Sequence, residues 1–203
     1  MAITSVKTGS SFTNLQKYND FLGPNPAYDP SATFLIQRIA GTGSSGTITF
    51  SSIPSTYKHL QVRMMTRRTT AVTDSSGMRT RLNGNTSNYT YHGLYGTGST
   101  VAAFGGGTGG YNAMPSPETI GNSAASGILS VCIMDITDYA SNTKNKTIRT
   151  FEGYDANGSG IVMLQSSVWV DTTAVTSLEI STNNTGSVFW TSNSTFALYG
   201  MKG

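Results

Sequence analysis

Gly41-Thr-Gly-Ser-Ser-Gly46 reads "GTGSSG" and fits G-x-G-x-x-G, whose glycines let a backbone approach a dinucleotide pyrophosphate. Its flanks decide the fold class. A phosphate cradle needs a strand before it and a helix opening on it, because the helix N-terminus supplies free N–H groups. Phe34-Leu-Ile-Gln-Arg-Ile39 precedes the glycines and is strand-like. Thr47-Ile-Thr-Phe50 follows and runs into Ile53-Pro54. A β-branched and aromatic run closed by proline is a strand that stops, not a helix that starts. Where a ribose contact would need an acid, about 20 residues on, the positions around Arg63 are basic or apolar. The stretch reads as a hairpin loop that binds no nucleotide, and no cofactor is expected.

The rest of the chain has the same character. Charged residues make up 11% of 203, with a net charge of +3, and Ser, Thr, Asn and Gly take their place. Ser, Thr and Asn compete for backbone hydrogen bonds, so this composition suits turns and solvated strand faces better than helices. The mild charge does not indicate a nucleic-acid partner. No apolar run approaches the length of a membrane span, and the N-terminus lacks the apolar stretch of a secretory signal. Synthesis in a reducing cytoplasm without an export route is the expectation.

Residues 1–32 differ from 33–203. Leu15, Tyr18 and Leu22 allow a turn or two of helix, and Gly23-Pro-Asn-Pro-Ala-Tyr-Asp-Pro30 then puts three prolines into seven residues. Proline suits neither a helix interior nor a central strand, so an extended arm is predicted. Phe21, Leu22 and Tyr28 make that arm apolar enough to lie against a partner.

From Phe34 onward the pattern is strands. Leu60, Val62 and Met64 alternate with His59, Gln61 and Arg63, and Arg79 and Arg81 face out of the next run. The run from Gly127 to Thr137 is apolar on both faces, as in a central strand or one covered by a second subunit. Eight to ten short strands separated by Gly-rich breaks predict one β-sandwich over 33–203. Leu60, Val62, Leu82, Cys132, Met134, Leu164, Leu178, Ile180 and Leu198 are its expected core. The Gly-rich stretch from Tyr95 to about Ser126 reads as a long loop, with Phe104 and Tyr111 as its sticky points.

Candidate chemistry is sparse. His59 and His92 lack acid partners at useful spacing, and no G-x-S-x-G elbow is present. Asp155-Ala-Asn-Gly-Ser-Gly160 resembles half a calcium loop, but no closing carboxylate follows, and Asn-Gly between strands is a hairpin signal. Asp135 and Asp138 read as a strand-terminating turn. The lone Cys132 reads as a small buried hydrophobe. Neither a catalytic nor a metal site is expected. Arg63, Arg67, Arg68, Arg79 and Arg81 fall within one expected hairpin, either as a basic contact stripe or as solvated faces that discourage edge pairing. Tyr89, Tyr91, Tyr95 and Tyr111 are candidates for stacking on a glycan, against ordinary packing within the sandwich.

Four stretches carry a resemblance: "KYNDFLGPNPAYDP" (17–30), "GTGSSGTITFSSIPSTYKHLQVRMMTR" (41–67), "ILSVCIMDITDYASNTKNKTIRTFEGYDANGSG" (128–160) and "STFALYGMKG" (194–203). They resemble small structural proteins of tailed bacteriophages, especially phages of aquatic bacteria. The resemblance implies an antiparallel jelly-roll-like β-sandwich on the virion surface, synthesised in the host bacterial cytoplasm. It implies other capsid or tail subunits as partners and a homo-trimer as the assembly. A head decoration (cement) protein would use Phe21, Leu22, Tyr28 and the five arginines as virion contacts. A tail- or fibre-associated tip that binds a host surface glycan is the alternative.

Overall fold

The computed structural model describes residues 32–71, 76–111 and 113–203; the side chains of 76, 107–111 and 114–117 fall outside the description. The expected helical turns and the arm at 1–31 also lie outside it. The described chain is all-β, with antiparallel strands in two sheets and no helix among the described residues. The strands are β1 (Thr33–Ala40), β2 (Thr47–Phe50), β3 (His59–Thr66), β4 (Ser76–Leu82), β5 (Tyr89–Gly96) and β6 (Val101–Tyr111). They continue with β7 (Met114–Thr119), β8 (Ser130–Ile136), β9 (Lys146–Asp155), β10 (Gly160–Trp169), β11 (Leu178–Thr182) and β12 (Thr195–Met201).

One sheet has eight strands in the order β1-β12-β3-β8-β9-β10-β5-β6, and the other has four in the order β2-β11-β4-β7. Leaving out β1, the β9–β10 hairpin and β12, the sheets become β3-β8-β5-β6 and β2-β11-β4-β7. Counting those eight strands in chain order gives 2-7-4-5 and 1-8-3-6, the two interleaved Greek keys of a jelly roll. The core lies between the sheets. Leu60, Val62, Met64, Cys132, Met134, Ile136, Ile148, Trp169, Phe196 and Leu198 of the large sheet meet Ile48, Phe50, Met78, Leu82, Leu178 and Ile180 of the small one. Trp169 stacks on Tyr89, with ring centroids 6.2 Å apart and planes 19° apart.

Gly41–Gly46 is not a hairpin loop. β1 pairs with β12 and β2 with β11, so the stretch carries the chain from the large sheet to the small one. Two of its amides are spent in the crossing: Gly41 N donates to Ser194 O at 2.9 Å and Gly43 N to Trp190 O at 2.8 Å. An amide committed to a carbonyl cannot also receive a phosphate, so two of the pattern's three glycines have no N–H to offer one. The 190–194 segment lies so close that a Cβ on Gly41 would overlap the Thr191 carbonyl oxygen. Gly41→Ala is therefore expected to cost about 1–3 kcal/mol through backbone displacement. A lowered urea midpoint at unchanged slope is the expected readout, and an unchanged midpoint would show that the close approach is dispensable.

Two further expectations need correction. The long loop from Tyr95 is largely strand: β5 ends at Gly96, then β6 and β7 run to Thr119. Glycine weakens a strand but forbids nothing, and pairing with β5 sets β6. β7 carries Pro115 and Pro117 at the edge of the small sheet, where a missing N–H costs little. β10 runs unbroken through Ser166-Ser167. Its inward residues are Met163, Gln165, Ser167 and Trp169, so Leu164, an expected core residue, points outward and is 48% exposed. Gln165 Nε2 donates to Ser167 Oγ at 2.8 Å, so each of these inward polar groups has a partner. The other expected core residues are buried.

Candidate interaction surface

Strand alternation gives the large sheet a second face, and among the described residues nothing packs on it. Ladder register aligns its side chains in transverse rows. One row runs Leu94, Leu164, Phe151, Ile133, Arg63, Ala197, Arg38 across seven strands, each residue directly opposite the next. The neighbouring row includes Val162, Val131 and Met65. Phe151 is 59% exposed, Leu94 51%, Val162 50%, Val131 48% and Met65 46%. Scattered apolar residues are ordinary on a soluble protein, but a contiguous patch marks a contact site. The run at 128–137 had announced this, with residues apolar on both faces. One face is core, and the other carries Val131 and Ile133.

The row on the other side is polar up to its last member: His92, Ser166, Arg149, Asp135, Gln61, Tyr199 and then the exposed Leu35. Arg63 is exposed and held by this row. Its Nε donates to Gln61 Oε1 at 2.8 Å, and its guanidinium sits 5.1 Å from the Tyr199 ring centroid. Gln61 Nε2 in turn donates to Asp135 Oδ1 at 2.8 Å. The surface is thus an apolar band edged by positioned polar groups.

The five arginines do not form one stripe. β3 and β4 lie in different sheets, so no hairpin joins them. Arg63 faces out of the large sheet, and Arg79 and Arg81 face out of the small one, where Arg81 Nη1 contacts Glu179 Oε1 at 3.2 Å. Arg67 and Arg68 are buried at 6% exposure, in the crossing between the sheets. Sequence reasoning missed their burial because the groups that satisfy Arg67 come from residues 122–128, remote in the chain.

The tyrosines also separate. Tyr89 is fully buried, and its hydroxyl accepts from Leu82 N at 2.9 Å, which removes it as a glycan contact. Burial pushes its phenol up to about 12. Tyr91 and Tyr95 are half-buried on either side of Phe104, with centroid distances of 6.0 and 6.2 Å. Tyr111 lies opposite Tyr89 in the ladder, and its side chain is outside the described set. Phe21, Leu22 and Tyr28 lie outside the described residues.

The remaining polar groups hold loops. Asp138 accepts from Lys144 Nζ at 2.6 Å and pairs with Lys58 Nζ at 2.8 Å, and these bonds hold its carboxyl down at about 2. His59 Nδ1 accepts from Asp138 N at 3.1 Å, in the turn expected there. Lys146 is fully buried, and its ammonium donates to the Ser141, Lys144 and Thr172 carbonyls at 2.7, 2.7 and 3.0 Å. The half calcium loop is the β9–β10 hairpin, with Asn157 and Gly158 at φ of 63° and 105° and Asp155 Oδ1 accepting from Asn157 N at 2.7 Å. Burial and the nearby Glu152 push the Cys132 thiol well up, so it is a poor nucleophile at neutral pH. Among the described residues no cluster of three or more His, Cys, Asp or Glu side chains is placed to hold a metal ion. No protein-family model matches the chain, and no curated protein or solved structure matches it.

Proposed function

We propose that this chain is a non-enzymatic structural protein of a tailed-bacteriophage virion, a head decoration protein anchored by its N-terminal arm. The observation that carries the reading is the apolar outer face of the large sheet, which is built for contact rather than for a reaction. A jelly roll of low charge with one such face suits a small subunit that packs against its own copies and a shell. The sequence resemblance supplies the virion, and a homo-trimer is the assembly it favours. Phe21, Leu22 and Tyr28, with Arg63, Arg79 and Arg81 as the outward arginines, are the proposed virion contacts.

A second reading has its own observation. Tyr91, Phe104 and Tyr95 form a half-exposed aromatic group at the β5–β6 end of the large sheet, a platform on which a sugar ring could stack. That would suit a tail-associated tip binding a host glycan.

Immunogold labelling of purified particles tests both. Label on the heads, lost when Phe21, Leu22 and Tyr28 are all changed to Ser in the full chain, is the expected result. Label confined to the tail would transfer the reading to the tip protein. Particles without the chain would end the virion assignment.

A further inference from the structure

We infer that the apolar outer face of the eight-stranded sheet is the docking site for residues 12–28 of a neighbouring copy, so that the subunits are linked by exchanged arms. This deepens the structural reading above, with Phe21, Leu22 and Tyr28 holding the subunit to the virion through its neighbouring copies, and rests on the homo-oligomer that reading contains. Three observations point to that occupant.

The first is supply. Residues 1–31 precede β1, and residues 12–28 carry Phe12, Leu15, Tyr18, Phe21, Leu22 and Tyr28. Extended chain covers up to about 3.3 Å per residue, so 17 residues reach roughly 55 Å. Eight strands at about 4.8 Å spacing are roughly 34 Å wide. The segment is long enough to cross the whole face. Strands of seven to eleven residues make that face roughly 900 Å² in area, comparable with the ~800 Å² per partner of a stable interface.

The second is complementarity. Arg38, Arg63 and Arg149 are exposed on the face, and Asp135 is held by Gln61. Asp20 precedes Phe21-Leu22 in the segment and Asp29 follows Tyr28 just beyond it, with Lys17 the one base among them. Rings flanked by carboxylates match an apolar band flanked by guanidinium groups.

The third is direction, which favours a neighbour over the same chain. Lys202 N donates to Ala32 O at 3.1 Å, so the backbone enters β1 in line with the ladder. Crossing the same sheet would need the whole reversal within residues 29–31, between Tyr28 and the paired Ala32. A chain continued straight from Ala32 would carry Phe21 and Leu22 some 30 Å past the edge of their own domain.

The test uses the purified full-length chain, outside any particle. A photo-crosslinking phenylalanine analogue replaces Phe21 in a mixture of light and 15N-labelled protein. Crosslinks from position 21 to peptides bearing Val131–Ile133, Phe151 or Val162–Leu164, with mixed isotopes, are expected. Crosslinks of one isotope only would show the arm folding back on its own sheet, and crosslinks elsewhere would exclude this face; either overturns the inference. As a second readout, Phe151→Ser with Leu164→Ser is expected to weaken self-association at least about tenfold in sedimentation, with circular dichroism unchanged. Undiminished association by this pair would equally overturn it. None of these outcomes depends on where a virion carries the protein.

Discussion

Arg67→Met should lower the unfolding free energy by about 3 kcal/mol or more, a large part of the 5–15 kcal/mol typical of a domain. All five N–H donors of the Arg67 guanidinium are engaged with one loop. Nε donates to Asn122 Oδ1 at 3.2 Å; Nη1 donates to the Ala125 and Ile128 carbonyls at 2.8 and 3.1 Å; Nη2 donates to the Asn122 and Ala124 carbonyls at 3.1 and 2.5 Å. Its main chain is tied to β12's approach as well, since Ser194 Oγ donates to Arg67 O at 2.9 Å and accepts from Arg67 N at 3.0 Å. Met keeps the apolar stem and removes the fork, leaving several acceptors without their donors. Lys offers three donors from a point instead of five in a plane, so Arg67→Lys should recover only part of the loss. Arg63→Ala, at an exposed position, is expected to stay within about 0.5 kcal/mol of the parent. Urea titration of the three variants is the measurement. A loss under about 1 kcal/mol for Arg67→Met would mean that the loop carbonyls find other partners.

Glu152 should make the protein less stable as pH rises through the neutral range. Glu152 is 3% exposed on the core face of β9, directly across the ladder from Cys132. Burial, with Glu118 of β7 nearby, pushes its carboxyl from an ordinary 4.5 up to about 8. Below about pH 4.5 both folded and unfolded chains hold the proton, and this stabilising contribution is complete. Between 4.5 and 8 the unfolded chain releases a proton that the folded chain keeps. Stability therefore falls as pH rises, by up to about 1.4 kcal/mol per unit and about 4–5 kcal/mol in all. Glu152→Gln keeps the shape and removes the titration. Its unfolding free energy should be flatter across pH 5–8 and exceed the parent's above pH 8. Parallel pH profiles for the two proteins would show that Glu152 does not titrate in this range on unfolding.

The strand alternation of β3 was legible because one parity is apolar and the other polar: Leu60, Val62 and Met64 against His59, Gln61 and Arg63. Local chemistry also set the Asn157-Gly158 turn, since its backbone angles suit those residues whatever surrounds them. β10 shows where such reasoning ends. Val162, Met163, Leu164, Val168 and Trp169 make both parities apolar, so period two names two faces without saying which is covered. The four-stranded sheet covers the Trp169 side, and Leu164 is left on the contact face. Half of that face, Val131 and Ile133, could be read from a run with no polar parity; the other half, at Leu164 and Leu94, could not.

By itself, then, the sequence determined the all-β class and the phase of those strands whose two faces differ in polarity, because these depend on neighbours along the chain. Only the tertiary structure decided which strands share a sheet, that the Gly-rich 101–111 is a strand, and that Arg67 lies inside while Arg63 lies outside. Each of these depends on pairing partners tens of residues away, and a backbone ladder or a fork of carbonyls leaves no mark on the local pattern of side chains.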